Sequence, residues 1–218
     1  GCRDARPLAV SRRDQLEAVF ITHAHEDHVG AIGHLFDRLG SPKVYARAFT
    51  ANIARGKLAE YGHGDKAVTV ANAWPEQLEA GPFRVGFLPI SHSIPESSAL
   101  VIDSPEGRVI HTGDFKLDVT PLVGEAFDED LWREVASTGV RALVCDSTNV
   151  FTPHAGRSEV VVGPEITQLV NESTGMFVAT TFASNVARVK TLADAGVAAG
   201  RSICLLGRAM RRMIEASI

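Results

Sequence analysis

The stretch Thr22-His23-Ala24-His25-Glu26-Asp27-His28 decides how the rest of the chain reads. It puts three imidazoles and two carboxylates into the six positions 23–28. Histidine and aspartate are poor core residues, so packing does not explain such a density, and the plain alternative is a polar surface loop. On extended backbone His23 and His25, two apart, point the same way and can grip one cation. Asp27 and His28, on the turn into the next helix, can reach a second cation a few ångströms away. Imidazole nitrogen combined with carboxylate oxygen suits zinc, with manganese as the other candidate.

Upstream of this stretch, residues 18–22 are apolar and β-rich, which predicts a strand. Downstream, Val29, Ile32, Leu35, Phe36 and Leu39 recur at helical spacing, and Gly40 with Pro42 close behind ends that helix. The same reading predicts strands at 43–46, 83–90, 98–103, 108–111, 142–145, 176–181 and 202–206. Helices are predicted around Phe49, Ile53 and Leu58, and at 128–136, 164–171 and 185–199. The chain is therefore α/β. Between 83 and 111 three strands follow one another with only turns between them, which points to an antiparallel or mixed sheet. A polar stretch containing Gly and Pro (147–163) then leads into a helix–strand–helix–strand–helix rhythm, that of a parallel α/β unit. This places a domain boundary near 150–160 and divides the chain into 1–155 and 156–218.

A pair of cations needs more ligands than one loop supplies, and later strand ends offer them. His92 follows the strand at 83–90, in Ser91-His92-Ser93-Ile94-Pro95-Glu96. Asp114 follows the strand at 108–111, in His111-Thr112-Gly113-Asp114-Phe115, where a lone carboxylate is well suited to bridge two ions. Gly113 lets the backbone come close to them. His34, His63, His111 and His154 sit in contexts that do not read as ligands. His34 reads as a partly exposed helix residue, and His111 as a residue of a sheet face.

With 218 residues, 45% hydrophobic and 22% charged, the composition is that of an ordinary soluble globular protein. No apolar run approaches the roughly 20 residues of a membrane span. The first ten residues lack a signal-peptide core. Cys2, Cys145 and Cys204 are few and scattered, which favours a reduced, cytoplasmic compartment over a disulfide framework. The net charge is −4, yet residues 176–218 carry Arg188, Lys190, Arg201, Arg208, Arg211 and Arg212 against Asp194 and Glu215, a net of +4. An acidic body with a basic end suggests an anionic ligand held beside a cation site, the alternative being a solvated basic helix face.

These motifs carry a resemblance. His23, His25, Asp27 and His28 match the HxHxDH signature of the metallo-β-lactamase superfamily without a gap. His92 in HSIPES, Asp114 in HTGDFK, Asp146 in CDSTN and the run Thr181-Phe182-Ala183-Ser184-Asn185, in that order, resemble the ribonuclease J family of the beta-CASP group, whose members process RNA. The resemblance implies an αββα sandwich followed by the start of a parallel α/β beta-CASP insertion. It implies two zinc ions (or manganese), one on His23, His25 and His92, the other on Asp27 and His28, with Asp114 bridging. Asp146 would support the site by hydrogen bonding. Ser184, Asn185 and Arg208 would face RNA phosphates. Two cations acidify a shared water to a pKa of about 7, giving a hydroxide that attacks phosphorus while Asp27 orients it or takes its proton. The implied substrate is RNA, a 5′-monophosphorylated single strand, and the whole protein would form homo-oligomers.

Two departures from the family pattern stand out. Only 22 residues precede His23, and the chain has no HxSGH or PxHGE segment. It therefore reads as a fragment: the sandwich lacks its N-terminal strands, the beta-CASP part is incomplete, and catalysis in isolation is expected to be impaired. The alternatives are a small-molecule hydrolase of the same superfamily, acting on a β-lactam, lactone or thioester, and a non-catalytic RNA-binding piece.

Overall fold

A computed structural model describes residues 6–153 and 156–217; Cys2 and His154 lie outside the described residues. In chain order the elements are α1 (Arg6–Ser11), β1 (Ala18–Ile21), α2 (Glu26–Val29), α3 (Ile32–Leu35), β2 (Lys43–Ala46), α4 (Ala48–Ala59), β3 (Val68–Val70), β4 (Gln77–Ala80), β5 (Phe83–Pro89), β6 (Ser98–Ser104), β7 (Gly107–His111), α5 (Glu129–Ser137), β8 (Ala142–Val144), α6 (Gly163–Glu172), α7 (Val186–Ala198) and α8 (Arg208–Glu215).

The strands form two sheets. β1, β2 and β3 pair in parallel, and β4 to β8 form a mixed sheet in sequence order, antiparallel until β8 joins β7 in parallel. Both sheets bury side chains on two faces, except at β8, where Leu143 and Val144 are exposed. Val44 and Ala46 point with Ile21 toward Val29, Ile32 and Phe36 and toward Ala51, Ala54 and Leu58 of α4. Leu88, Ala99, Val101 and Ile110 of the mixed sheet point toward Leu131, Trp132 and Val135 of α5. Between the sheets Val85, Phe87 and Leu100 meet Ala71, with Phe20 and Tyr45 packed against them. The strand side-chain period of two feeds both faces at once. The result is helix, sheet, sheet, helix: the four-layer sandwich that the resemblance implies.

The layering brings one set of strand ends together. β5, β7 and β8 run in the same direction, so the segments after Pro89, His111 and Val144 leave the mixed sheet at one rim. The end of β1 is tied to the same rim, because the Ser98 amide at the start of β6 donates to the Thr22 carbonyl at 3.1 Å.

Several expectations need correction. The helix predicted through 29–39 is interrupted, appearing as α2, α3 and a 3-10 turn at Asp37–Leu39. Gly30 and Gly33 lower helix propensity there by about 1 kcal/mol each, and Gly33 admits the Tyr61 ring where a Cβ would clash at 2.4 Å. β3 and β4 went unseen: β3 has three residues, and the Gln-Leu-Glu-Ala of β4 is made of helix formers held extended by pairing with β5. In the beta-CASP part the helices form, with Asn185 capping α7, but residues 176–181 and 202–206 are not strands. These two runs line a common cavity of about 350 Å³ beside α7 instead of bonding into a ladder, and Met176, Val178 and Leu206 are 89%, 72% and 79% exposed. The parallel sheet expected there is thus absent among the described residues.

Candidate metal centre

Thr22 leaves β1 extended, and His25 keeps the extended conformation (φ −67°, ψ 150°) before its carbonyl accepts the first turn of α2 from the His28 and Val29 amides at 3.0 and 2.9 Å. The two-residue period therefore turns His23 and His25 to one side, while the helical turn carries Asp27 and His28 around to the other. His92 arrives from the segment after β5 and Asp114 from the segment after β7. Among the described residues two groups have donor atoms mutually close enough, within 4.8 Å, to hold a metal ion: His23, His25, His92 and Asp114, and Asp27, His28 and Asp114.

In the first group His25 Nδ1 lies 3.1 Å from His23 Nε2 and 3.1 Å from His92 Nε2. Tetrahedral zinc with bonds of about 2.0–2.1 Å separates its ligand nitrogens by about 3.3 Å, so the three rings converge as they would on one ion. The far nitrogens of His23 and His25 are oriented as well. His23 Nδ1 is 3.0 Å from Thr22 Oγ1, and His25 Nε2 is 3.4 Å from Ser93 Oγ and near the main chain of Ser184. Such partners fix the ring orientation and leave one lone pair free for a cation. In the second group Asp114 Oδ1 lies 3.3 Å from His28 Nε2, and Asp27 Oδ2 is 3.6 Å from the same nitrogen. The other oxygen of Asp114 is 4.0 Å from His23 Nε2, so one carboxylate faces both groups.

Burial, with the imidazoles of His28, His25 and His92 adding to it, pushes the fully buried His23 down to about 2. Burial above all pushes His92 down to about 4, and lowers His25 against the opposing pull of Asp27 and Asp114. At neutral pH these rings are therefore uncharged, the state in which imidazole binds metal. Three neutral nitrogens from two chain segments, aimed at one point and joined by a carboxylate from a third, fit a divalent cation.

Gly113 is required by this geometry. Its φ is +60°, and a Cβ there would lie 3.1 Å from Thr22 Cβ. Thr112, buried beside it, bonds the Gly113 carbonyl at 2.7 Å and accepts from the Asp146 amide at 3.0 Å. The Asp146 carboxylate is held by the Thr148 hydroxyl and amide (2.7 and 2.8 Å), which lower its pKa first, with His92 nearby contributing further. It thus bonds its own turn and the main chain of Phe115, the residue after Asp114.

Other residues sort differently. Ser184 reaches His25 through its main chain. The Asn185 side chain is spent on the Arg188 amide as the α7 cap, at 3.0 Å. Arg208 lines a cavity of about 450 Å³ with Glu26, Asn52, Lys57, Arg212 and Met213. The basic end is less free than its count suggests, because Arg188 pairs with Glu159, Lys190 with Asp194 and Arg212 with Glu60. His34 is exposed against the Tyr61 hydroxyl, and His111 Nδ1 accepts from the Gly113 amide at 3.0 Å. Sequence reasoning missed Thr22, Ser91 and Ser93 as site residues, although a hydroxyl adjoining a ligand histidine is a readable signal.

Comparison with known proteins agrees with this geometry. The family model of the metallo-beta-lactamase superfamily matches residues 2–154, and that of the ribonuclease J beta-CASP domain matches residues 174–218. The chain is 42% identical to "Ribonuclease J" of Sinorhizobium meliloti over 209 residues, 95% of this chain and 36% of that protein. It is 38% identical to "Ribonuclease J" of Corynebacterium glutamicum over 201 residues, 92% of this chain and 28% of that protein. The chain thus spans about a third of the length of the curated relatives it matches. A solved protein of unknown function from Enterococcus faecalis V583 shares the fold with a TM-score of 0.59 at 18% identity, over 81% of this chain and 44% of that one.

Proposed function

Because the chain belongs to the metallo-beta-lactamase superfamily, we propose that its two ligand groups form the binuclear zinc centre of a ribonuclease J-type hydrolase acting on RNA phosphodiester bonds. The observation that carries this reading is the placement of Asp114, whose two carboxylate oxygens lie 3.3 Å from His28 and 4.0 Å from His23. RNA as substrate is supported by the beta-CASP match at 174–218 and by relatives named as ribonucleases. Residues 1–155 then make the metal-bearing domain and 156–218 the first part of the beta-CASP domain. The substrate is a 5′-monophosphorylated single strand, and the compartment is the cytoplasm; the described cysteines, Cys145 and Cys204, are free thiols.

A pair of divalent ions, when bound, supplies Lewis acidity and a water nucleophile available at neutral pH. The chain's own residues do the rest. His23, His25 and His92 stay neutral and so keep their lone pairs. Asp27, with its side chain 78% exposed, is the carboxylate of the site most open to solvent, which suits it to orient an attacking water and take its proton. Arg208, at the start of α8, offers a cation to a phosphate near Glu26 of the ligand loop.

The test is a side-by-side assay of the chain, reconstituted with Zn²⁺ or Mn²⁺, on 5′-monophosphorylated RNA, nitrocefin and a lactone. Expected is RNA cleavage that is slower than by a full-length ribonuclease J and is lost on chelation or with Asp114→Ala. Hydrolysis of nitrocefin or the lactone with no RNA turnover would favour a small-molecule hydrolase instead.

A further inference from the structure

His92 and Asp114 must sit at a fixed separation, because one belongs to a single ligand group and the other to both. They follow β5 and β7, which are not neighbours: β6 lies between them, so no ladder bond joins the two ligand segments. The direct tie is Ser91, the residue before His92. Its main-chain carbonyl accepts from the Lys116 amide at 2.8 Å. Its hydroxyl accepts from the Asp118 amide at 2.8 Å and donates to the Lys116 carbonyl. Ser91 is 2% exposed, and Asp118 is buried too, its carboxylate accepting from the Thr120 amide at 3.0 Å. One hydroxyl thus serves an acceptor two residues and a donor four residues past Asp114, in a place closed to water.

We propose that Ser91 is a positioning residue whose hydroxyl sets the reach of Asp114 into the second ligand group. This rests on the metal-centre reading above. The second group is the one that depends on it. The first keeps three buried or half-buried imidazoles without Asp114, whereas the second is left with His28 and the exposed Asp27. With Ser91→Ala the Lys116 carbonyl and the Asp118 amide keep only their 2.9 Å bond to each other, and the turn carrying Asp114 is held to residue 91 by the main-chain bond from the Lys116 amide alone.

The test is a chelator-competition titration of the 218-residue chain with Zn²⁺ alone, paired with Co²⁺ spectra and with far-ultraviolet circular dichroism of the metal-free protein. For Ser91→Ala the expected result is a native-like metal-free spectrum, a first equivalent held as in the parent, and a second weakened roughly 10- to 100-fold, the usual cost of losing an outer partner of a ligand. Ser91→Thr keeps the hydroxyl and is expected to restore the second equivalent. Two equivalents bound by Ser91→Ala as tightly as by the parent overturn the proposal, as does a second site that Ser91→Thr leaves weak. A metal-free Ser91→Ala chain that has lost its fold also overturns it, since the hydroxyl is then a folding group only. No RNA enters this measurement, so a failed RNA assay leaves it standing. A parent chain that binds no zinc would overturn the metal-centre reading itself and this proposal with it.

Discussion

Gly113 shows how one missing side chain supports the site. Its positive φ (+60°) suits glycine, and the space where a Cβ would sit is already taken by Thr22, which itself bonds His23. Gly113→Ala therefore strains the backbone and pushes on the Thr22–His23 contact together. The expected cost is about 1–3 kcal/mol of unfolding free energy, read from urea denaturation of the metal-free chain. Asp114→Ala, one residue on, removes the carboxylate common to both ligand groups. Its expected effect is on metal content, from about two equivalents to one or fewer by elemental analysis, with little change in the metal-free fold.

The β6–β7 hairpin places Asp103 opposite Arg108 in register, and the guanidinium bonds both carboxylate oxygens at 2.7 and 2.9 Å. The Arg108 guanidinium holds the Asp103 carboxyl below its ordinary range against the opposing effect of burial, and Gln77 adds a smaller pull in the same direction as Arg108. A carboxyl whose folded pKa is depressed contributes stability that is present above its unfolded pKa of about 3.9 and is lost as pH falls through the lower folded value. Asp103→Asn is expected to cost about 1–3 kcal/mol at pH 7 and to flatten this part of the acid limb in urea melts between pH 5 and 2. At this scale the sequence was most legible where pattern and packing agree. The β-rich runs of β5 and β6 and the helices beginning after Asp128 and Asn185 each showed in the residues themselves. The ligand histidines were legible because polar residues that packing cannot explain stood at strand ends. What stayed hidden was set by distant neighbours: β4, helical in composition but paired with β5, and Ser91, whose partners lie beyond Asp114. Residues 176–181 erred the other way, since β propensity makes a strand only where a ladder partner exists.

Across the molecule, the sandwich and the helices after residue 160 meet at one apolar cluster, and it lies against the metal loops. Ala24, between His23 and His25, packs with Phe49 of α4, Ile94 of the His92 segment and Val186 of α7, and Met213 and Ala216 lean on them. Glu96 reinforces the same joint: its carboxylate accepts from the Phe49 amide at 2.6 Å and lies 3.6 Å from the buried Arg47, which also bonds Glu125 at 2.7 Å. α7 and α8 thus pack against the segments that carry His25 and His92, so the part proposed to meet RNA shares its footing with the part proposed to hold metal. Phe49→Ala removes the central ring of this joint while leaving every ligand in place. Truncating a buried phenylalanine costs about 3–5 kcal/mol. Because the strands of the sandwich have cores of their own, the loss is expected to appear locally. In hydrogen exchange, amides of α7 and α8 should lose protection more than those of β5 and β6. Zinc affinity should fall too, through looser placement of His25 and His92. Uniform loss of protection across both sheets would mean that the joint is part of one cooperative core, and unchanged exchange in α7 and α8 would mean that other contacts hold them.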